Sequence, residues 1–355
     1  MTDTTDNGAS APDPTTDERA RTVTMQDIAR ASGVSQSTVS RVLNDTLTSV
    51  PIAEGTRRRV LDVAARLGYR PNPLARGLRG AKTMLLGVIV REISDLFFTL
   101  VVDALTTAAR RRNYNVVLGT AHSQADEAIV LRAVLETRHC DGIVVLGDMR
   151  DQPRLLDDLG AAHVPVVTLW QGGALGGVAT VTIDNRGGIA SAVDHLAALG
   201  HRKFGFIGGD PLVDIVERRA AFADRVAEHG FRVDDDSVVL GSNTPGAGAD
   251  AFRRLMRLAD PPTAIVTAND TVAIGALHAA HALGIVVPDQ VSIVGFDDIA
   301  IADYTAPPLT TVRQPVDEMA ERAVALAVDL PSPPGSHHVF PTTLHVRQST
   351  GRPPA

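Results

Sequence analysis

Downstream of Met84 the chain alternates two kinds of stretch. Apolar runs appear at LLGVIV (85–90), NVVLGT (115–120), GIVVLG (142–147), PVVTLW (165–170), KFGFIGG (203–209), TAIVTA (263–268) and VSIVGFD (291–297). Between them, apolar residues recur at helical spacing over 98–112, 188–199, 218–229 and 271–283. Near-continuous apolar runs mark strands buried on both faces, and their alternation with helices predicts a parallel, doubly wound sheet. There are too many runs for one small sheet, so two α/β subdomains are expected.

The pattern before Met84 is different. Thr24 to Asn44 reads TMQDIARASGVSQSTVSRVLN, two short amphipathic helices around a turn. Thr24 is an N-cap, with Asp27 three residues on as a short-armed capping box. Ile28 and Ala31 form the stripe of the first helix, and Ala29 is small where a second helix must cross. Gly33 supplies the φ > 0 that such a turn needs. Ser35 caps the second helix, whose stripe is Val39, Val42 and Leu43. Its other face carries Gln36, Ser37, Ser40 and Arg41, side chains suited to base edges and phosphates. That is an all-α helix-turn-helix with a recognition helix for the major groove. A third helix is expected from Thr56 to about Leu67, with Val60, Leu61, Ala64 and Leu67 inward and Gly68 ending it. Arg70-Pro71-Asn72-Pro73 then reads as a linker.

Composition and charge sharpen this division. A chain of 355 residues, 44% hydrophobic and 21% charged, suits two or three folded domains. Net charge is −7, yet residues 19–82 hold twelve Arg/Lys and four Asp/Glu, so +8, which leaves −15 for the rest. A basic head on an acidic body is expected when only the head meets phosphates. Residues 1–21 are polar and acidic and read as a disordered tail, neither a signal nor a transit peptide. No apolar run reaches the roughly 20 residues of a membrane span. The single Cys140 excludes an intramolecular disulfide framework and fits a cytoplasmic, buried structural thiol.

With its surroundings, the 24–44 stretch resembles the headpiece of the lactose/purine repressor (LacI/GalR) family of transcriptional regulators. The likeness continues through GYRPNPLARGLR, the IGG and DNRGG stretches and FDDI…PPLTTVRQP, roughly residues 22 to 350. It implies a DNA-binding domain over 22–70, a hinge over 71–82 and a periplasmic-binding-protein-like core over 83–350. The core would dimerise, with crossovers near 184, 314 and 341. The implied DNA contacts are Thr24, Ser35, Gln36, Ser37, Thr38, Ser40, Arg41 and Asn44, with Leu78 and Arg79 in the hinge. Leu78 matches a residue that wedges between base steps in the minor groove. In the family a Ser usually precedes the third helix, where Ala53 stands, so a cap or phosphate contact is altered there.

Open α/β sheets bind ligands beyond the carboxyl ends of their strands. The polar residues there are Asp297 and Asp298, Asn269 and Asp270, and Ser94 and Asp95, with Arg218 opening a helix after the IGG turn. Asp297, Asn269 and Arg218 offer donors and acceptors for sugar hydroxyls, and Phe97 or Phe98 a face for a ring. The resemblance implies ligand contact at Asp95, Phe97, Phe98, Trp170, Arg218, Asn269, Asp297 and Gln314. Asp270 and Asp298 also suit helix N-caps. Where the family often has Asp-Arg, Trp170-Gln171 stand, and Asn243 stands where several members have an aromatic. The aromatic wall is therefore expected on the other side of the cleft, with Trp170 stacking on a sugar ring rather than meeting a highly charged metabolite.

No catalytic, metal or cofactor set emerges. Gly172, Gly173, Gly176 and Gly177 lack the spacing of a dinucleotide loop, and His337, His338 and His345 read as solvated histidines of a surface segment. A solute-binding protein and a sugar-acting enzyme are the competing readings. The basic headpiece weighs against the first, and the missing catalytic set against the second. The expectation is an effector-switched repressor, dimeric on a palindromic operator, cytoplasmic and not membrane-bound. The absence of C-terminal heptads argues for a dimer.

Overall fold

The computed structural model describes residues 23–43, 51–69, 82–90, 95–120, 140–147, 164–170, 178–209, 212–329 and 335–354. The chain divides into two compact units, Met1–Ala81 and Lys82–Ala355.

In the first unit, α1 spans Met25–Ser32, α2 Gln36–Leu43 and α3 Glu54–Arg66. The capping box forms in both directions. Thr24 Oγ1 accepts from Asp27 N–H at 3.3 Å, and Asp27 Oδ2 from Thr24 N–H at 3.0 Å. Gly33 takes φ +68° and closes α1 by donating to the Ala29 carbonyl. Ser35 Oγ then accepts from Thr38 N–H at 3.2 Å and starts α2. Met25, Ile28, Ala29, Val39, Val42, Val60, Val63 and Ala64 form the small core. Two expected inward residues are displaced. Ala31 is exposed, its place taken by Met25 and Ser32; Leu61 is 44% exposed, its place taken by Val63. A helix this short buries a narrow stripe, and a residue one position off it rotates about 100° into water. Ala53 stands at the N-cap of α3 and makes no side-chain cap bond.

The second unit holds two six-stranded sheets among the described residues. In the first the strands lie in the order His337–Phe340, Ala179–Ile183, Val166–Leu169, Gly142–Leu146, Leu85–Val90 and Asn115–Thr120, all parallel. In the second the order is Thr343–His345, Thr310–Arg313, Ser292–Asp297, Ala264–Thr267, Phe204–Gly208 and Val238–Leu240, parallel except for the first pair. The apolar runs became β1 (Leu85–Val90), β2 (Asn115–Thr120), β3 (Gly142–Leu146), β4 (Val166–Leu169), β6 (Phe204–Gly208), β8 (Ala264–Thr267) and β9 (Ser292–Asp297). Five more strands escaped the pattern: β5 (Ala179–Ile183), β7 (Val238–Leu240), β10 (Thr310–Arg313), β11 (His337–Phe340) and β12 (Thr343–His345). They are short, and four of them carry Thr or His where the others carry aliphatics. His337, His338 and His345 are therefore strand residues, not members of an irregular surface segment. Asp298 and Asp270 are not N-caps. Asn269 caps the helix that Asp270 opens, and the short 3-10 turn after Asp298 begins at Ala300.

Among the described residues six helices cover the sheets: α4 (Leu96–Arg111), α5 (Asn185–Leu199), α6 (Val213–Glu228), α7 (Pro245–Leu255), α8 (Asp270–Ala282) and α9 (Val316–Val328). Helices α4 and α9 pack together over the first sheet, with Arg112 reaching Glu321 at 2.6 Å and Asp329 at 2.8 Å. The chain passes between the sheets after β5, after β10 and after β11. Two passages are bonded together: Asp184 N–H donates to the Phe340 carbonyl at 2.8 Å, and Thr342 Oγ1 to the Asp184 carbonyl at 3.3 Å. The strand ends of both sheets therefore face one cleft across a bonded hinge.

Candidate functional site

In the first unit, α2 turns Val39 and Val42 into the core, and this orients the rest. Gln36 and Ser37 are exposed, and Thr38, Ser40 and Arg41 are half-buried at the flank. Ser35 Oγ lies 2.8 Å from both Ser37 Oγ and Thr38 Oγ1, so hydroxyls are pre-positioned along the first turn. Thr24 is exposed beside its cap. Asn44, Leu78 and Arg79 lie outside the described residues, as do Ser94 and the glycines 172, 173, 176 and 177.

In the second unit, the cleft is built from strand ends. Trp170 follows β4 with φ +58°, Asp297 ends β9 with φ +115°, and Gln314 follows β10. A left-handed backbone at a non-glycine residue costs of order 1–3 kcal/mol and persists only where its surroundings hold it. Here they do. Trp170 Nε1–H donates to Gln314 Oε1 at 2.8 Å, and Gln314 Nε2–H donates to Asp297 Oδ1 at 2.7 Å. The two sheets are thus joined by one buried relay. Phe97 and Phe98 pack edgewise on the indole at 5.1 and 6.3 Å, so the aromatic wall stands on the side of the first sheet.

Arg218 extends the relay. It does not open its helix but lies in the second turn of α6, 2% exposed. It donates to the Ala268 carbonyl at 2.7 Å and to Asp297 Oδ1 at 3.5 Å. Its Nε–H reaches Asn185 Oδ1 at 2.8 Å, its other terminal nitrogen lies 3.3 Å from Asp214, and its plane covers the Phe296 ring at 3.7 Å. Asn185 donates in turn to Glu217 Oε2 at 2.8 Å. Burial pushes the Asp297 carboxyl well above the usual carboxylate range; Arg218 opposes this, while Asp270 and Asp95 add to it. Burial likewise pushes Asp270 up to about 7, against its bonds from Thr311 Oγ1 and the Ile299 N–H.

Asn269 stands apart from the relay. Its Oδ1 caps α8 by accepting from Val272 N–H at 2.9 Å, and its Nδ2–H donates to Asn243 at 3.0 Å. Asp95 caps α4 through Phe97 N–H at 2.9 Å. Asp298, its side chain buried, forms ion pairs with Arg313 at 2.5 Å and Arg347 at 2.6 Å. Cys140 is buried and its thiol is pushed up to about 11 by burial, so it is inert structure.

A cavity of about 220 Å³ opens against this relay, walled by Trp170, Thr182, Asp184, Asn185, Asp214, Glu217 and His337. Most of these residues were not legible beforehand. Asn185 sat within the DNRGG stretch, and the four-residue spacing of Asp214 and Arg218 on a helix was a usable signal. Thr182 and His337 line one cavity only because β11 pairs with β5. No group of His, Cys, Asp and Glu able to hold a metal occurs among the described residues, and no described helix is long and apolar enough to cross a membrane.

A helix-turn-helix unit joined to a two-sheet cleft protein is the build of a transcription regulator with a small-molecule site. Known proteins agree. Residues 24–72 match the bacterial regulatory proteins of the lacI family, and residues 193–350 match the periplasmic binding protein-like domain. Catabolite control protein A of Priestia megaterium is 32% identical over 86% of this chain and 91% of its own length. The HTH-type transcriptional repressor CytR of Escherichia coli (strain K12) is 31% identical over 86% of this chain and 89% of its own. A solved complex of the transcriptional regulator CelR with cellobiose is 30% identical, covers 92% of this chain and 99% of its own, and has a TM-score of 0.67. The chain belongs to the lacI family of bacterial regulatory proteins: it is a DNA-binding transcriptional regulator with a periplasmic-binding-protein-like core.

Proposed function

We propose that the protein is a cytoplasmic repressor of sugar-utilisation genes that binds a palindromic operator as a homodimer and is switched by a sugar in the core cleft. The observation that carries this is the relay Trp170–Gln314–Asp297–Arg218, which ties strand ends of both sheets together beside a cavity. A ligand that competes for these donors and acceptors changes the relation of the two subdomains, and hinged halves then differ between bound and unbound forms. The cellobiose bound to CelR supports a sugar as the effector class. Exposed Leu96, Leu100, Val117 and Leu118 on the first subdomain and Leu283, Ile301 and Tyr304 on the second support a side-by-side dimer. Base reading is assigned to Gln36, Ser37, Ser40 and Arg41, with Thr24, Ser35, Thr38 and Asn44 on phosphates and neighbouring edges. Leu78 and Arg79 are assigned to the minor groove by resemblance.

The test joins both halves of the reading. A palindromic fragment from the gene's own upstream region is bound by wild type and by Asp297→Ala, with and without a sugar found by thermal-shift screening. Both proteins should bind the fragment. Only wild type should change its affinity with the sugar, by the roughly 1–3 kcal/mol typical of such coupling. A normal sugar response in Asp297→Ala would remove the cleft from the mechanism.

A further inference from the structure

The groups that face the cavity have one sign. Asp184, Asp214 and Glu217 line it, and no Lys or Arg does among the described residues. Arg218, 2% exposed, is already engaged: Asp297 and the Ala268 carbonyl take one terminal nitrogen, Asn185 takes Nε, and Asp214, which lines the cavity, lies 3.3 Å from the other terminal nitrogen. A ligand anion therefore meets three carboxylates, and Arg218 is already paired with Asp214 and Asp297. A ring with hydroxyls meets a different surface. Carboxylate oxygens accept its O–H groups, and the indole of Trp170, packed on Phe97 and Phe98, forms an apolar part of the wall.

We propose that Asp214, supported by Glu217, is the specificity-determining residue of the effector site, restricting it to uncharged polyhydroxylated rings and rejecting phosphorylated or carboxylated ones. The proposal rests on the cleft being the effector site. Asp214 does this by occupying the Arg218 edge that a phosphate oxygen would otherwise take, and by presenting its own charge to the incoming group. Asp184 is held in place as the cap of α5, accepting from Gly187 N–H at 2.8 Å, so it supplies a fixed third charge.

Trp170 is the only tryptophan of the chain and walls the cavity, so its fluorescence reports occupancy directly. The full-length protein is titrated with glucose 6-phosphate and with inorganic phosphate, with glucose and cellobiose run alongside. Wild type should give no saturable change with either phosphate. The double variant Asp214→Asn/Glu217→Gln should bind glucose 6-phosphate saturably, at least tenfold tighter than wild type, while keeping a cooperative melt and operator binding. Saturable binding of glucose 6-phosphate by wild type would overturn the proposal, and so would a folded double variant that still ignores it. Should the double variant fail to fold, Glu217→Gln alone carries the same test with a smaller gain. The reading of the cleft as an effector site fails separately, if both sugars leave operator binding unchanged while the charge substitutions admit phosphate as expected.

Discussion

Arg41 and Trp170 show how single residues divide the work. Arg41 sits at the flank of α2, two positions before Leu43, where its helix presents it beside Gln36 and Ser37. Arg41→Ala should weaken operator binding by about 1–3 kcal/mol, and exchanging Gln36 and Ser37 together should change the preferred half-site bases. Quantitative gel shifts over a half-site library measure both. An unaltered affinity and preference would show that another element reads the DNA. At Trp170 the residue type was legible as an aromatic at a strand end, but its partner was not. Gln314 stands 144 positions away, and only the fold brings its amide to the indole.

Among elements, the pair α7 and α8 depends on missing side chains. A Cβ on Gly275 would lie 1.9 Å from the Pro245 carbonyl oxygen, and one on Gly248 2.2 Å from the Val272 carbonyl oxygen. The two helices cross backbone to backbone. Gly275→Ala should therefore destabilise the core by about 1–3 kcal/mol despite the better helix propensity of Ala, because overpacking against a carbonyl outweighs the roughly 1 kcal/mol propensity gain. Urea unfolding with an unchanged m-value measures this. Equal or greater stability would mean that the crossing relaxes freely. Glycine in a helix reads as weakness in a sequence; the structure turns these two into contact points.

For the molecule as a whole, the C-terminal segment ties the second subdomain together. Ser349 bridges the Ile293 carbonyl and the Thr310 N–H, at 2.6 and 2.8 Å. His201 is fully buried: Nε2 meets the Gly351 carbonyl and Ser292 Oγ at 3.0 Å each, and Nδ1 meets Thr263 Oγ1 at 2.9 Å. Burial lowers its pKa, opposed by the Gly351 carbonyl and aided by neighbouring His195, which burial also lowers and which holds Thr350. The unfolded chain then takes up protons near the ordinary histidine pKa of about 6.5 while the folded one does not. The stability from these histidines is complete above that pH and is lost as pH falls through the folded values, by at most about 1.4 kcal/mol per pH unit for each. His201→Gln should be less stable at pH 7.5 yet show a shallower fall in stability between pH 7 and 5 than wild type, measured by urea unfolding across that range. An identical slope would assign the acid sensitivity elsewhere.

What the sequence determined by itself is local. The Thr24–Asp27 capping box, the Gly33 turn, the seven aliphatic strand runs, the basic head and the doubly wound class all follow from short-range propensity, periodicity and charge, which act within a few residues. Tertiary structure decided the rest. Strands β5, β7, β10, β11 and β12 are too short or too mixed to announce themselves, and they exist because neighbouring strands offer them unpaired backbone groups. Asp270 and Asp298, both readable as helix caps, became a buried acceptor for Thr311 and a buried ion-pair partner for Arg347, since the sheet order set which partners lay within reach. The acidic wall of Asp184, Asp214 and Glu217, with Asp214 paired to Arg218, is likewise a product of packing. A hydrogen bond acts over about 3 Å, and only the folded chain brings residues from α5, α6 and β9 to such distances of one another.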